Sequence, residues 1–145
     1  MVEDRGHEFS AGGVVVRDGR DVAVVVPTRR AADGSRVLTL PKGHPSGAES
    51  PEEAAAREVR EEAGVSGDLV TKLGEVRYWY QRGGRRILKV VAFYLFDYRS
   101  GDVANHDHEV EEARWMPLER ALDELSHRGE RDMVERALSR LAADR

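Results

Sequence analysis

The sequence contains no cysteine, only five prolines, and few aromatic residues (6% Phe, Trp and Tyr). Without cysteine there can be no disulfide, thiolate metal site, iron–sulfur cluster or cysteine nucleophile, a composition compatible with a cytoplasmic protein. No apolar run approaches the ~20 residues that a membrane-spanning helix needs, so no membrane partner is expected. Neither sign of charge forms a long block: 23 Lys and Arg stand against 27 Asp and Glu, for a net charge of −4. That balance argues against a disordered charged tail and against non-specific duplex binding, which needs a broadly basic face. No nucleic acid polymer is therefore expected as a partner. The acidic, polar stretch Met1 to His7 predicts no signal peptide. At 145 residues the chain fits one domain, residues 1–145, with a core large enough for a sheet packed by helices.

Two Val-rich stretches, Ala11 to Arg17 and Asp21 to Pro27, flank Asp18-Gly19 and predict a β-hairpin. A polar loop and a brief strand, Val37 to Leu40, follow. The segment Pro41 to Gly47, punctuated by Pro and Gly, is expected to be irregular. A helix is predicted from Pro51 to Ala63: Ser50 and Glu53 make a capping box, Pro51 suits the first turn, and Gly64 stops it. Long strands are expected over Leu69 to Gln81 and Arg86 to Tyr98, turning at Gly83-Gly84. A short segment reaches Trp115-Met116, and two helical patterns complete the chain after Pro117. The elements describe an α/β domain without internal repeats.

On the predicted helix, Glu58, Glu61 and Glu62 are related by i+3 and i+4 and share one face, while Ala55, Val59 and Ala63 form an apolar stripe. Like charges so spaced repel by a few tenths of a kcal/mol per pair. Either the neighbouring Arg57 and Arg60 or a divalent cation can offset that repulsion. Carboxylate oxygens suit hard Mg²⁺ and Mn²⁺. A solvated, salt-bridged helix face is the plainer interpretation. The loop ahead of the helix, with Lys42, Gly43, His44 and Gly47, favours the other, because backbone groups and cations there can meet a phosphate chain.

Taken together, Gly43, Glu49 and Arg57-Glu58-Val59-Arg60-Glu61-Glu62-Ala63-Gly64-Val65 match the Nudix hydrolase signature G-x5-E-x7-R-E-U-x-E-E-x-G-U at every specified position. The chain resembles that family over residues 8 to 143, including Ala11-Gly12-Gly13-Val14-Val15 and Trp115-x-Pro117-Leu118-Glu119. The resemblance implies a Nudix α/β/α sandwich with a mixed sheet between helices. It also implies hydrolysis of a nucleoside diphosphate linked to another group, using Mg²⁺ or Mn²⁺ and an attacking water. By motif position, Glu58 and Glu62 are the principal metal ligands, Glu61 a further ligand or its partner, and the Gly43 carbonyl another. Arg57 and Glu49 become an ion pair that braces the loop against the helix.

The flanking residues point to a branch. Pro41-Lys42-Gly43-His44 is similar to the P-K-G-H segment of diadenosine polyphosphate hydrolases, and the Gln-Gly-Gly of RNA 5′-pyrophosphohydrolases is not present. Tyr80 lies sixteen residues beyond Gly64, where dinucleoside polyphosphate hydrolases tend to carry a tyrosine. Tyr80, or Tyr78 by register, could stack an adenine, an interaction worth about 1–3 kcal/mol; alternation also requires that one of Tyr78, Trp79 and Tyr80 face the core. Lys42 and His44 are candidate phosphate contacts, as are Arg86 and Lys89 on a hairpin that also carries Arg82 and Arg85. In the segment Asn105 to Glu112, His106-x-His108 lacks a third ligand at helical spacing. The resemblance places a further carboxylate, ligand or general base, at Glu109, with Glu111 or Glu112 as substitutes.

The expected substrate is thus a nucleoside polyphosphate, a diadenosine polyphosphate first. The alternatives are a nucleoside triphosphate pyrophosphohydrolase, including one for oxidised guanine nucleotides, and a non-catalytic nucleotide-sensing domain. Monomer and homodimer both remain open.

Overall fold

The computed structural model of the chain describes residues 5–144. Residues 1–4, within the stretch taken to lack a signal peptide, lie outside the described residues. Strand β1 (Arg5–Arg17) turns into β2 (Asp21–Pro27) as the Val pattern predicts. Asp18 and Gly19 both take positive φ, 56° and 62°, and Val16 then pairs with Val22. The second hairpin joins β4 (Val65–Arg82) to β5 (Arg85–Gly101). Gly83 and Gly84 make its turn at φ 59° and 77°, which glycine adopts without steric cost. Both strands outrun their expected limits, because register shifts at Ser66/Gly67, Leu69/Thr71 and Lys72/Gly74 bend β4 without ending it.

The sheet order is β4-β5-β1-β2-β6, where β6 is Val110–Pro117. Strands β1 and β5 run parallel and the remaining pairs antiparallel, so the sheet is mixed. Strand alternation sends two sets of side chains to opposite faces. Val14, Val16, Val24, Phe93 and Leu95 pack against α2 (Leu118–Glu124) and α3 (Arg128–Ala143) through Leu118, Leu125, Met133 and Val134. Ala11, Val15, Val25, Ala92 and Phe96 pack on the opposite side against α1 (Pro51–Glu58) and its last turn, through Ala54, Ala55, Val59 and Ala63. Each large apolar side chain so buried contributes roughly 1.5–3 kcal/mol before entropy is counted. The α/β/α sandwich implied by the resemblance is the observed fold.

Three local expectations need correction. The segment 37–40 forms no strand; it makes a single bridge, Val25 with Thr39. The loop expected to be irregular contains a two-residue strand instead, β3 (Lys42–Gly43), which pairs with Gly12 and Ala11 of β1. Gly12 permits this approach, since a β-carbon there would stand 2.5 Å from the Pro41 carbonyl oxygen and 2.7 Å from the Lys42 β-carbon. Finally, the acidic helix is not α-helical to Ala63. Its last turn, Val59–Ala63, widens to π-helical spacing and closes at Gly64, whose φ is 75°. Such turns occur often at functional sites.

Candidate active site

Helix α1 starts as predicted: Glu53 N–H donates to Ser50 Oγ at 3.1 Å and Ser50 N–H to Glu53 Oε1 at 2.9 Å. Two turns on, Arg57 uses all of its donors. Nε and Nη2 grip Glu49 at 2.8 and 3.0 Å, and Nη2 also reaches the His44 carbonyl at 2.8 Å. Nη1 donates to Glu58 at 2.7 Å and to Glu61 at 2.9 Å. The expected Glu49–Arg57 brace is therefore present, and it holds the Glu49 carboxyl below the usual carboxylate range. The same guanidinium gathers two of the signature's carboxylates, Glu58 and Glu61.

Glu58 and Glu62 are drawn inward, while Glu61 stays exposed. Burial pushes the Glu58 carboxyl up against the opposing pull of Arg57. Burial pushes Glu62 up to about 8, opposed by the Lys42 N–H that donates to it at 3.1 Å. Gly43 packs directly on the Glu58 carboxylate, and a β-carbon at that position would collide with it. The loop 102–109 closes the other side: Asp102 N–H donates to the Gly64 carbonyl at 3.2 Å, and Asp107 N–H to the Glu61 carbonyl at 2.8 Å. These bonds bring Glu109 into the field of Glu58 and Asp107 into that of Glu62. Glu111 instead pairs with Arg30 and Arg36, and Glu112 with Arg114. Asp107 is a carboxylate of the site that the sequence analysis missed; its spacing carries no motif signal.

The donor set is all oxygen, and Gly43 leaves a side-chain-free cradle against Glu58. Those features fit a hard divalent cation. Among the described residues no three His, Asp or Glu side chains converge on one point in a ligating arrangement; Arg57 holds Glu58 and Glu61 to itself.

Two cavities meet at Tyr78, one lined by His44 and the other by Lys42 of the loop before α1. A cavity of about 350 Å³ is lined by Glu8, Arg29, His44, Tyr78, Tyr80, Arg82 and Lys89. Four cationic or imidazole side chains thus face one acid. Tyr80 donates its hydroxyl to that acid, Glu8, which Arg82 also contacts at 2.5 Å and Lys89 at 3.8 Å. A larger cavity of about 600 Å³ has an apolar floor of Val76, Val91, Phe93 and Met133, and Tyr78, Lys42 and Glu130 on its walls.

Tyr78 and Tyr80 share one face, with ring centroids 6.3 Å apart. Trp79 and Arg86 lie on the opposite face, the guanidinium 4.4 Å above the indole. Period-two alternation separates Arg86 from Lys89, so Arg86 does not join the basic cavity as expected. Lys42 does not extend a free ammonium either: its Nζ pairs with Glu130 at 2.7 Å. Burial lowers that ammonium's proton affinity, but Glu130 more than offsets the effect and holds it above the ordinary lysine range. Glu8 and Arg29 line the cavity without having been foreseen; Glu8 could have been found by alternation from buried Ser10 on β1.

A model of the NUDIX domain matches residues 7–137. The protein named MutT4 of Mycobacterium tuberculosis is 39% identical over 133 residues, 89% of this chain and 54% of that protein. An 8-oxo-(d)GTP phosphatase of Mycolicibacterium smegmatis is 32% identical over 102 residues, 70% of this chain and 30% of that protein. The chain thus spans about half the length of the first relative and less than a third of the second. A NUDIX hydrolase from Nitrosomonas europaea superposes with a TM-score of 0.73 at 20% identity, covering 91% of this chain and 88% of that one.

Proposed function

Because the chain belongs to the NUDIX domain family, we propose that it is a divalent-cation-dependent pyrophosphohydrolase of nucleoside polyphosphates, with dinucleoside polyphosphates as its substrates. The observation that carries this reading is the pair of cavities meeting at Tyr78, one basic and one apolar, each lined by a residue of the loop that precedes α1. A chain of phosphates finds Arg29, His44, Arg82 and Lys89 in the first, and a purine ring finds an aromatic wall and apolar floor in the second. Backbone hydrogen bonds of the cavity residues tie both to the carboxylates. His44, in the basic cavity, gives its carbonyl to Arg57, and Lys42, in the apolar one, gives its N–H to Glu62.

Glu58, Glu62 and the Gly43 carbonyl would hold Mg²⁺ or Mn²⁺, with Glu61 beside them. When bound, the cation supplies positive charge against the phosphate oxygens and favours attack by water. Arg57 orients Glu58 and Glu61 through its two Nη1 bonds. Glu109 accepts the proton that the attacking water loses, as its oxygen bonds to phosphorus and the bridging anhydride oxygen departs. Two nucleotides leave when the substrate is a dinucleotide.

A second reading is favoured by the relatives, one of which is named as an 8-oxo-(d)GTP phosphatase: a mononucleoside triphosphate whose base alone fills the larger cavity. A panel of diadenosine tetra-, penta- and hexaphosphate, ATP, dGTP and 8-oxo-dGTP decides between them. Each is incubated with Mg²⁺, Mn²⁺ or a chelator, and products are resolved by ion exchange. The highest kcat/KM is expected for a diadenosine polyphosphate, with two nucleotides formed. Preference for a triphosphate, releasing pyrophosphate, would install the second reading. Tight binding without turnover would make the chain a nucleotide sensor.

A further inference from the structure

Strand β3 is two residues long and has few ladder bonds of its own, yet its backbone meets both principal carboxylates. Gly43 abuts Glu58, and Lys42 N–H donates to Glu62. On the far side of that segment stands Glu130, from the first turn of α3, with 3% of its surface exposed. Its Oε1 accepts the Leu40 N–H at 2.8 Å, and its Oε2 accepts Lys42 Nζ at 2.7 Å. These bonds close sequence separations of 90 and 88 residues. A buried ion pair is weak evidence for stability, since apolar residues of similar volume often do as well. Both oxygens of Glu130 are instead directed at the one segment that frames the carboxylates.

We propose that Glu130 is a positioning residue for hydrolysis, clamping Leu40 and Lys42 from the α3 side and so setting the Lys42–Gly43 backbone against Glu62 and Glu58. The inference rests on the reading of Glu58 and Glu62 as cation ligands. Holding the segment at a backbone N–H and at a side chain two residues later fixes its rotation about its own axis. A rotated segment would take the Lys42 N–H away from Glu62, and would turn toward Glu58 something bulkier than the hydrogen of Gly43. Lys42 then serves as the other half of the clamp rather than as a free cation for phosphate. The pair also walls the larger cavity beside Tyr78, so the nucleoside end and the carboxylate end of the site share one fixed piece of backbone.

Two variants test the clamp. Glu130→Gln keeps an oxygen for the Leu40 N–H and removes the charge that holds Lys42. Lys42→Met combined with Glu130→Gln removes both charges, so no ion is left buried alone if the single variant folds poorly. Mn²⁺ alone is titrated into each metal-free protein by calorimetry, melting curves are recorded, and turnover of diadenosine tetraphosphate is measured with Mg²⁺. The expected result is Mn²⁺ binding weakened by roughly tenfold or more, as for other partners that orient metal ligands. The kcat should fall by a comparable factor while KM stays within about twofold, the pattern of lost alignment rather than lost substrate contact. The double variant should melt close to wild type. Wild-type Mn²⁺ affinity and kcat in that double variant would reduce Glu130 to a structural role. A raised KM with unchanged kcat would make Lys42 a substrate contact and end the proposal. If the unaltered chain hydrolyses no nucleoside polyphosphate, the functional reading fails, and the Mn²⁺ titration still decides whether Glu130 sets the carboxylates.

Discussion

Gly43 and Glu62 show how much of the site rests on single atoms. Gly43 does not need positive φ, so its backbone would accept alanine; what forbids a side chain is the Glu58 carboxylate packed on it. Gly43→Ala should therefore displace Glu58, costing activity roughly 10–100-fold and stability about 1–3 kcal/mol. Steady-state kinetics and melting curves on the one variant measure both, and full activity would remove Glu58 from the site. Glu62 makes a pH prediction. Folded and free of metal, its carboxyl keeps a proton to about pH 8, against 4.5 for an ordinary glutamate. Between those values the folded state binds more protons than the unfolded one, so stability falls as pH rises. Melting temperatures in chelator should decline from about pH 5 to about pH 9, and Glu62→Gln should flatten part of that decline. Equal slopes for the two proteins would contradict the burial of this charge. With Mg²⁺ present, the same variant should lose activity by orders of magnitude, since it removes ligand charge where several kcal/mol of transition-state stabilisation arise.

At the scale of elements, α1 and its preceding loop act as one unit because Arg57 binds Glu49, the His44 carbonyl, Glu58 and Glu61 together. Arg57→Ala should lower the melting temperature and the activity in parallel, with the breaking of a partly buried network costing about 3–5 kcal/mol at most. Lost activity with an unchanged melting curve would instead make Arg57 a substrate contact. This unit was the most legible part of the chain. Ser50, Glu53, Arg57 and the acids lie within 23 residues of one another in sequence, residues 43–65, so local chemistry alone places them. Its widened last turn was not legible, because nothing in Val59 to Ala63 distinguishes an α-turn from a π-turn until loop 102–109 docks on it. Strand β3 was hidden for a related reason: Pro and Gly mark a loop, and the backbone approach that makes it a strand is licensed by Gly12, thirty residues earlier.

In the molecule as a whole, the sheet separates two cores. Phe93 belongs to the α2/α3 core and also floors the larger cavity. Phe93→Ala should cost about 3–5 kcal/mol and raise KM for the base-bearing substrate together with it; denaturant unfolding and kinetics on the same preparation test that coupling. The long-range parts of the site, Glu8 with Tyr80, Glu130 with Lys42, and Asp107 near Glu62, were beyond sequence reading. Each joins residues that only the tertiary fold brings into contact, and of them only Glu8, alternating with buried Ser10, leaves a periodic trace. The mixed sheet was legible as a class, whereas the β1–β5 neighbour relation was not.

That relation bears on how the molecule comes into being. Strand β1 lies along β5 in parallel from Arg5 with Arg86 to Val16 with Asp97, so β1 has its main partner some eighty residues downstream. Closing so large a loop before any ladder bond can compensate is slow, and chains dominated by such pairings fold in milliseconds to seconds. The β4–β5 hairpin needs no such wait. During synthesis β1 has no parallel partner along most of its length until β5 has left the ribosome.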